Sequence, residues 1–134
     1  MEEQIIDWRQ KFPDKPLLVT EYGADTVAGM HTLPSYIFTE EYQYELMANH
    51  FKAFDASRAR GGLIGEMIWN FADFMTKQQY NRVVGNKKGI FTRQRQPKAS
   101  AHLMRRRYWY LAEMIDYFKT TKLDAASKDI CVSP

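Results

Sequence analysis

Apolar positions along the chain fall into helical stripes interrupted by two short unbroken runs. Glu2–Phe12 carries Ile5, Ile6, Trp8 and Phe12 in a helix-compatible pattern that stops at Pro13. After the Pro13-Asp14-Lys15-Pro16 turn, Leu17–Tyr22 opens with the apolar or β-branched residues Leu17 to Thr20. Such a run predicts a strand buried on both faces, as in a parallel sheet. Gly23 permits a sharp turn, which places Glu21 at the carboxyl end of that strand. Gly23–Phe38 reads as a long loop, a kind of segment that in compact chains is usually functional or mobile. Thr39 is a predicted N-cap, and Glu40 and Glu41 suit the positive end of a helix dipole. Tyr42, Leu46, Asn49/His50, Ala53 and Phe54 continue the helical spacing to about Arg60, where Gly61-Gly62 ends it. Leu63–Trp69 is a second buried strand. Strand, helix and strand make a βαβ unit with a right-handed crossover. Asn70–Lys88 is irregular, Gly89–Thr92 is briefly extended, and a last helix is predicted from about Lys98 to Asp116 or slightly beyond. The polar segment 120–134 is predicted to be a disordered tail, leaving 1–119 as the folded part.

Two long loops therefore leave the same end of two neighbouring parallel strands, where α/β sheets and barrels do chemistry. Two strands cannot close a sheet, and a full (β/α)₈ barrel needs at least about 200 residues. The chain has 134, so the fold class is α/β, and the two βα units read as part of a larger barrel-like sheet.

Composition narrows the partners. The chain is 45% hydrophobic and 26% charged, a globular balance, and its eight Tyr, eight Phe and three Trp suit a packed core or a sugar-binding cleft. A net charge of +3 from 19 basic and 16 acidic residues does not by itself imply nucleic acid. Arg93, Arg95, Lys98 and Arg105-Arg106-Arg107 beside Tyr108, Trp109 and Tyr110 form a basic, aromatic cluster. Helical spacing spreads it around the helix, so no nucleic-acid partner is expected. The single cysteine, Cys131, cannot form an internal disulfide. No secretory leader, no membrane span and no His-based metal motif is read, and no cofactor is expected.

The residues suited to chemistry cluster at the strand ends. Glu21 is either a catalytic carboxylate or one held by a structural partner. Trp69 offers a flat face for a sugar ring or a roof for the core. Arg82, Asn86, Lys87 and Lys88 fall in one short loop and suit an anion, since charge-assisted bonds are the strong ones; a solvated loop is the plainer alternative. Glu66 lies three residues before Trp69, roughly 10 Å below the rim, and suits a buried structural carboxylate better than a partner for Glu21. Asp25 and Asp73 lie nearer the rim without a pattern that marks an acid catalyst.

TEYGADTVAGMH, FTEEYQ, GEMIWNFADFMT and RVVGNKKGIFTRQRQPKASAHLMRRRYW together resemble the carboxyl-terminal part of the β-glucuronidases of glycoside hydrolase family two, from about Pro16 to Trp109. The resemblance implies the last two βα units of a (β/α)₈ TIM barrel and retaining hydrolysis of β-D-glucuronides, such as glycosaminoglycan ends or glucuronide conjugates. It implies Glu21 as nucleophile, Asn86 and Lys88 on the glucuronate carboxylate, Arg82 at the matching basic position, and Trp69 lining the sugar site. For the intact enzyme it implies a lysosomal homotetramer. The family's acid/base lies in an Asn-Glu-Pro motif, and this sequence contains no Asn-Glu pair. The chain alone is therefore expected to be an inactive fragment, the alternative being a non-catalytic carbohydrate- or anion-binding remnant.

Overall fold

The computed structural model describes residues 1–80 and 84–129, the side chains of 121–129 excepted. Its elements are α1 (Glu2–Lys11), β1 (Leu17–Val19), α2 (Glu40–Ala59), β2 (Leu63–Glu66) and α3 (Ala99–Asp129). β1 and β2 are parallel, with Leu17 opposite Leu63, Leu18 opposite Gly65 and Val19 opposite Glu66, and a bulge between Leu17 and Leu18. Regular strand is shorter than predicted, but the backbone ladder runs on. Met67 N donates to Val19 O at 2.8 Å and Trp69 N to Tyr22 O at 2.8 Å, so the pairing reaches the predicted strand ends. The result is an open two-stranded piece of a (β/α) barrel sheet.

Burial on both faces, expected for these strands, holds on one face only. Leu63 and Glu66 are buried, whereas Leu18 is 40% and Ile64 68% exposed. No third strand stands beside them among the described residues, so the outward apolar side chains meet no cover there. The inner face packs on α2. Tyr22 lies edge-on to Phe54 (5.0 Å between ring centroids) and to Phe51 (6.2 Å), and stacks on His50 at 5.7 Å. Glu66 is the structural carboxylate anticipated from its depth: it pairs with Arg58 Nη1 at 2.7 Å and accepts from the Tyr22 hydroxyl at 3.4 Å.

α2 begins as predicted, the Thr39 side chain accepting from Tyr42 N at 3.2 Å. Its buried stripe differs from the predicted one. Glu40, Gln43, Met47, Phe51, Phe54 and Ser57 are buried, whereas Tyr42, Leu46 and Ala53 are only partly covered. The stripe rotates because its upper end is polar and finds hydrogen-bond partners inside.

Met1–His102 form one compact unit and the chain from Leu103 a second. α3 begins in the first and makes up the second, and it runs on to Asp129 rather than ending near Asp116. Within the second unit the Arg107 guanidinium lies 5.7 Å from the Tyr110 ring centre. The basic cluster is also divided by burial: Lys98 is 1% exposed, so it is unavailable to phosphates, unlike the exposed Arg105 and Arg106. Cys131 lies outside the described residues.

Phe54 is fully buried, so Phe54→Ala is expected to cost about 3–5 kcal/mol, a large part of the ~5–15 kcal/mol typical of a domain. Ile64→Ala on the open face should stay within about 0.5 kcal/mol. Urea unfolding of both variants checks the contrast, and equal losses would contradict the one-sided burial.

Candidate active site

Three backbone segments are laid side by side at the carboxyl ends of the strands. The first carries exposed Glu21 and continues into Tyr22, whose carbonyl accepts from Trp69 N. The second is Trp69–Asn70, joined by a cis peptide. Gly23 permits this approach: its φ is +148°, and a Cβ there would stand 2.6 Å from Trp69 O. The third segment is the loop around Lys88. Asn70 N donates to Lys88 O at 3.1 Å, and Ile90 N returns a bond to Asn70 O at 3.1 Å. Thr26 N donates to Lys87 O at 2.9 Å, so this loop also touches the segment that follows Glu21.

Trp69 is 38% exposed and sits edge-on to Phe74, ring centroids 6.2 Å apart. Its ring is thus neither sealed in the core nor fully solvated. Asn86 is buried and exchanges backbone bonds with Phe74 at 2.8 and 3.3 Å. Its side-chain oxygen accepts from Lys88 N at 2.9 Å, which folds the Asn-x-Lys stretch into a tight turn and leaves the amide NH₂ as the group's donor. Lys88 is half-buried. Arg82 lies outside the described residues. The backbone segments that carry Glu21, Trp69, Asn86 and Lys88 therefore lie side by side at the strand ends.

A polar framework beneath the rim escaped the sequence reading. The Lys98 ammonium donates to Thr26 O (2.8 Å), Asp73 Oδ1 (2.9 Å) and Lys87 O (3.0 Å). Asp73 Oδ1 also accepts from Gly89 N at 3.0 Å, and Asp25 Oδ1 accepts from Lys87 N at 3.2 Å. Both aspartates bond backbone amides of the loop. Gln43 Nε2 faces the carbonyls of Ala24, Lys88 and Gly89 at 3.0–3.4 Å, and its oxygen accepts from Ser100 Oγ at 2.6 Å. Glu40 accepts from Gly29 N at 2.7 Å and from Ala99 N, at the start of α3, at 2.6 Å. The available signal was Glu40 and Gln43 in helical register with Met47 and Phe51, polar residues on a stripe that turns inward. Burial pushes the Lys98 ammonium below the usual lysine range, opposed by its bond to Asp73. Among the described residues no three His, Cys, Asp or Glu side chains gather as a metal site, and no helix is long and apolar enough to cross a membrane.

On the outer side, carboxylates of α2 fasten the long loop. His31 Nδ1 meets Glu41 at 2.6 Å, Thr32 N donates to Glu41 at 3.3 Å and Ser35 Oγ to Glu45 at 2.5 Å.

Parallel strands running through long loops into helices, with an acid, an aromatic ring and an Asn-x-Lys turn at their carboxyl ends, define a segment of a (β/α)-barrel enzyme domain. The chain belongs to the glycosyl hydrolases family 2 TIM barrel domain, whose model matches residues 1–113. It is 53% identical to human β-glucuronidase over 114 residues, 85% of this chain and 17% of that protein. An uncultured Clostridium sp. β-glucuronidase superposes with TM-score 0.75 at 51% identity over 81% of this chain and 18% of that one. The Ruminococcus gnavus enzyme in complex with uronic deoxynojirimycin superposes with TM-score 0.72 at 45% identity, over 80% of this chain and 19% of that one. The chain thus spans under a fifth of the length of the proteins it matches.

The hydrogen bond to Glu41 raises the His31 pKa above the ordinary 6.5, and His31 in turn lowers that of Glu41. The pair's contribution from His31 is complete below 6.5 and fades as pH rises through the raised value. That from Glu41 is complete above the ordinary carboxylate range and fades as pH falls through the lowered value. NMR titration should find His31 returning toward 6.5 in Glu41→Gln; an unmoved midpoint would contradict the pairing.

Proposed function

We propose that this chain supplies the nucleophile and the carboxylate-recognition loop of a retaining β-glucuronidase. The observation that carries this reading is the side-by-side bonding of the segments bearing Glu21, Trp69 and Lys88, in a chain whose relatives are named β-glucuronidases. In the proposed reaction the Glu21 carboxylate attacks the anomeric carbon, the aglycone oxygen departs with a proton from a second carboxylic acid, and water then hydrolyses the glycosyl-enzyme ester. In retaining enzymes the two carboxyl groups stand about 5–5.5 Å apart. No Asn-Glu pair occurs in the sequence, so the proton donor of the Asn-Glu-Pro motif comes from elsewhere in the intact enzyme.

At the other end of the ring, the Lys88 ammonium and the Asn86 amide bind the uronate carboxylate, with Arg82 as a further cation and Trp69 against the sugar. Each charged hydrogen bond contributes about 1.5–3 kcal/mol, which selects glucuronides over neutral glucosides. The lysosomal compartment and the homotetramer implied by the resemblance are part of this proposal for the intact enzyme.

The purified chain is expected to show no turnover of an aryl glucuronide. Turnover abolished by Glu21→Gln would overturn the fragment reading. In a full-length enzyme carrying this segment, Glu21→Gln should abolish hydrolysis. Lys88→Ala should raise KM for the glucuronide about 10- to 100-fold. If instead the chain alone binds glucuronate, with affinity lost in Lys88→Ala and unchanged in Glu21→Gln, a non-catalytic anion-binding module is the better description.

A further inference from the structure

We infer that Lys98 is a positioning residue for uronate recognition: it fixes the Asn86–Lys88 turn in its carboxylate-binding shape without touching the ligand. This deepens, and rests on, the reading of that loop given above. The Lys98 side chain is wholly excluded from solvent, so it is no direct ligand. All three protons of its ammonium have oxygen partners, and these come from different segments. Thr26 O lies in the loop that follows Glu21, Asp73 Oδ1 in the stretch after Trp69, and Lys87 O inside the recognition turn itself. Asp73 Oδ1 then reaches Gly89 N, the other side of Lys88. The peptide groups flanking Lys88 are therefore both tied to one buried ion pair.

The turn belongs to no helix or strand, and its other bonds run to the Phe74 backbone, Asp25 Oδ1, Thr26 N, Asn70 N, the Asn86 side chain and Gln43 Nε2. Gly89 is fixed by contact as well as by bonding, since a Cβ there would collide with the Ala72 and Asp73 backbone. An apolar side chain at position 98 would remove the donor from Thr26 O and leave Lys87 O and the Asp73 carboxylate with one backbone N–H each, from Thr26 and Gly89, with the carboxylate's charge unpaired, and the turn would move to find solvent. The group displaced by that movement is Lys88. The lesion should therefore fall on recognition of a charged ring and spare a neutral one.

The test compares Lys98→Met, Asp73→Asn and Lys88→Ala in a full-length family enzyme carrying this segment, with an aryl glucuronide and the matching aryl glucoside. For Lys98→Met the expected result is a tenfold or greater rise in glucuronide KM. The kcat should stay within about threefold, and the preference for glucuronide over glucoside should fall by the same factor as KM rises. Asp73→Asn keeps the shape but weakens the ion pair, and should move KM the same way by a smaller factor. Amide exchange on the 134-residue chain gives a second readout: Thr26, Lys88 and Gly89 amides should exchange at least tenfold faster in Lys98→Met, those of Met47–Phe54 unchanged. An equal fall in kcat on both substrates with KM unmoved would mean Lys98 serves stability alone and would overturn the inference. Should Lys98→Met not fold, Asp73→Asn decides, and an unchanged KM and preference there would likewise overturn it. Lys88→Ala separates the two levels. If it raises the glucuronide KM and neither other variant does, only the positioning role fails; if it leaves KM unchanged, the loop reading fails beneath it.

Discussion

A lysine ammonium shut away from water ties together the loops at the carboxyl ends of the strands. Burying an ion costs several kcal/mol unless partners replace its hydration. Lys98 has those partners in two backbone carbonyls and the Asp73 carboxylate. The arrangement solves a problem that any irregular rim creates. Loop carbonyls that leave solvent must find donors, and loops offer no ladder to supply them. Lys98 takes two of those carbonyls, and Gln43 faces three more. A set of polar bonds replaces the apolar core just below the strand ends, and the long loops keep a fixed course as a result.

α2 is built for both levels. Its later turns present Met47, Phe51 and Phe54 to the sheet, while its first turns present Glu40 and Gln43 to the loops. Thr39 caps the helix from outside, which leaves the Glu40 carboxylate for other donors. One of its oxygens accepts from Ala99 N at the beginning of α3, a helix with no acidic residue in its own first turn. A carboxylate near two helix amino ends is favoured by both dipoles. The same residue also fixes Gly29 in the long loop, so α2, α3 and that loop meet at one side chain.

Periodicity and punctuation were enough to place the two strands, the helix between them, its Thr39 cap and the strand ends. The apolar runs Leu17–Thr20 and Leu63–Ile68 and the glycines at 23, 61 and 62 carry that information locally. That one strand face lies open was not legible, because Leu18 and Ile64 have the composition of covered residues and, among the described residues, no strand beside them. The stripe of α2 was misjudged because hydrophobicity ranks Tyr42 and Leu46 above Gln43, while burial follows hydrogen-bond partners as well as apolarity. Lys98 was grouped with surface cations for the same reason: lysine is almost never fully buried unless paired, and its partners are 11 to 72 residues away in sequence. Asp73 and Asp25 looked like idle loop carboxylates because the amides they hold belong to Gly89 and Lys87. The Asn86–Lys88 stretch was legible as an amide and two cations in one loop but not as a turn closed by its own side chain.

The order of the three rim segments bears on how a single ring would be held. Neighbouring hydrogen-bonded segments stand about 4.8 Å apart, so the course from Tyr22 through Trp69–Asn70 to Lys88 covers roughly 10 Å. A reacting carboxylate approaches its carbon to about 3–3.5 Å, and a cation bonds a carboxylate at just under 3 Å. In the proposed mode of binding, one pyranose ring spans two such contacts, with the middle segment, Trp69, against the ring itself. In the proposed reaction, attack and charge recognition fall to this chain and protonation to another carboxyl, which has to stand about 5–5.5 Å from that of Glu21 for retention. A division of that kind tolerates little movement on either side. Fixing the rim by buried ions and amides, rather than by the exposed ends of two short strands, is the physical means by which the smaller portion meets its share of that tolerance.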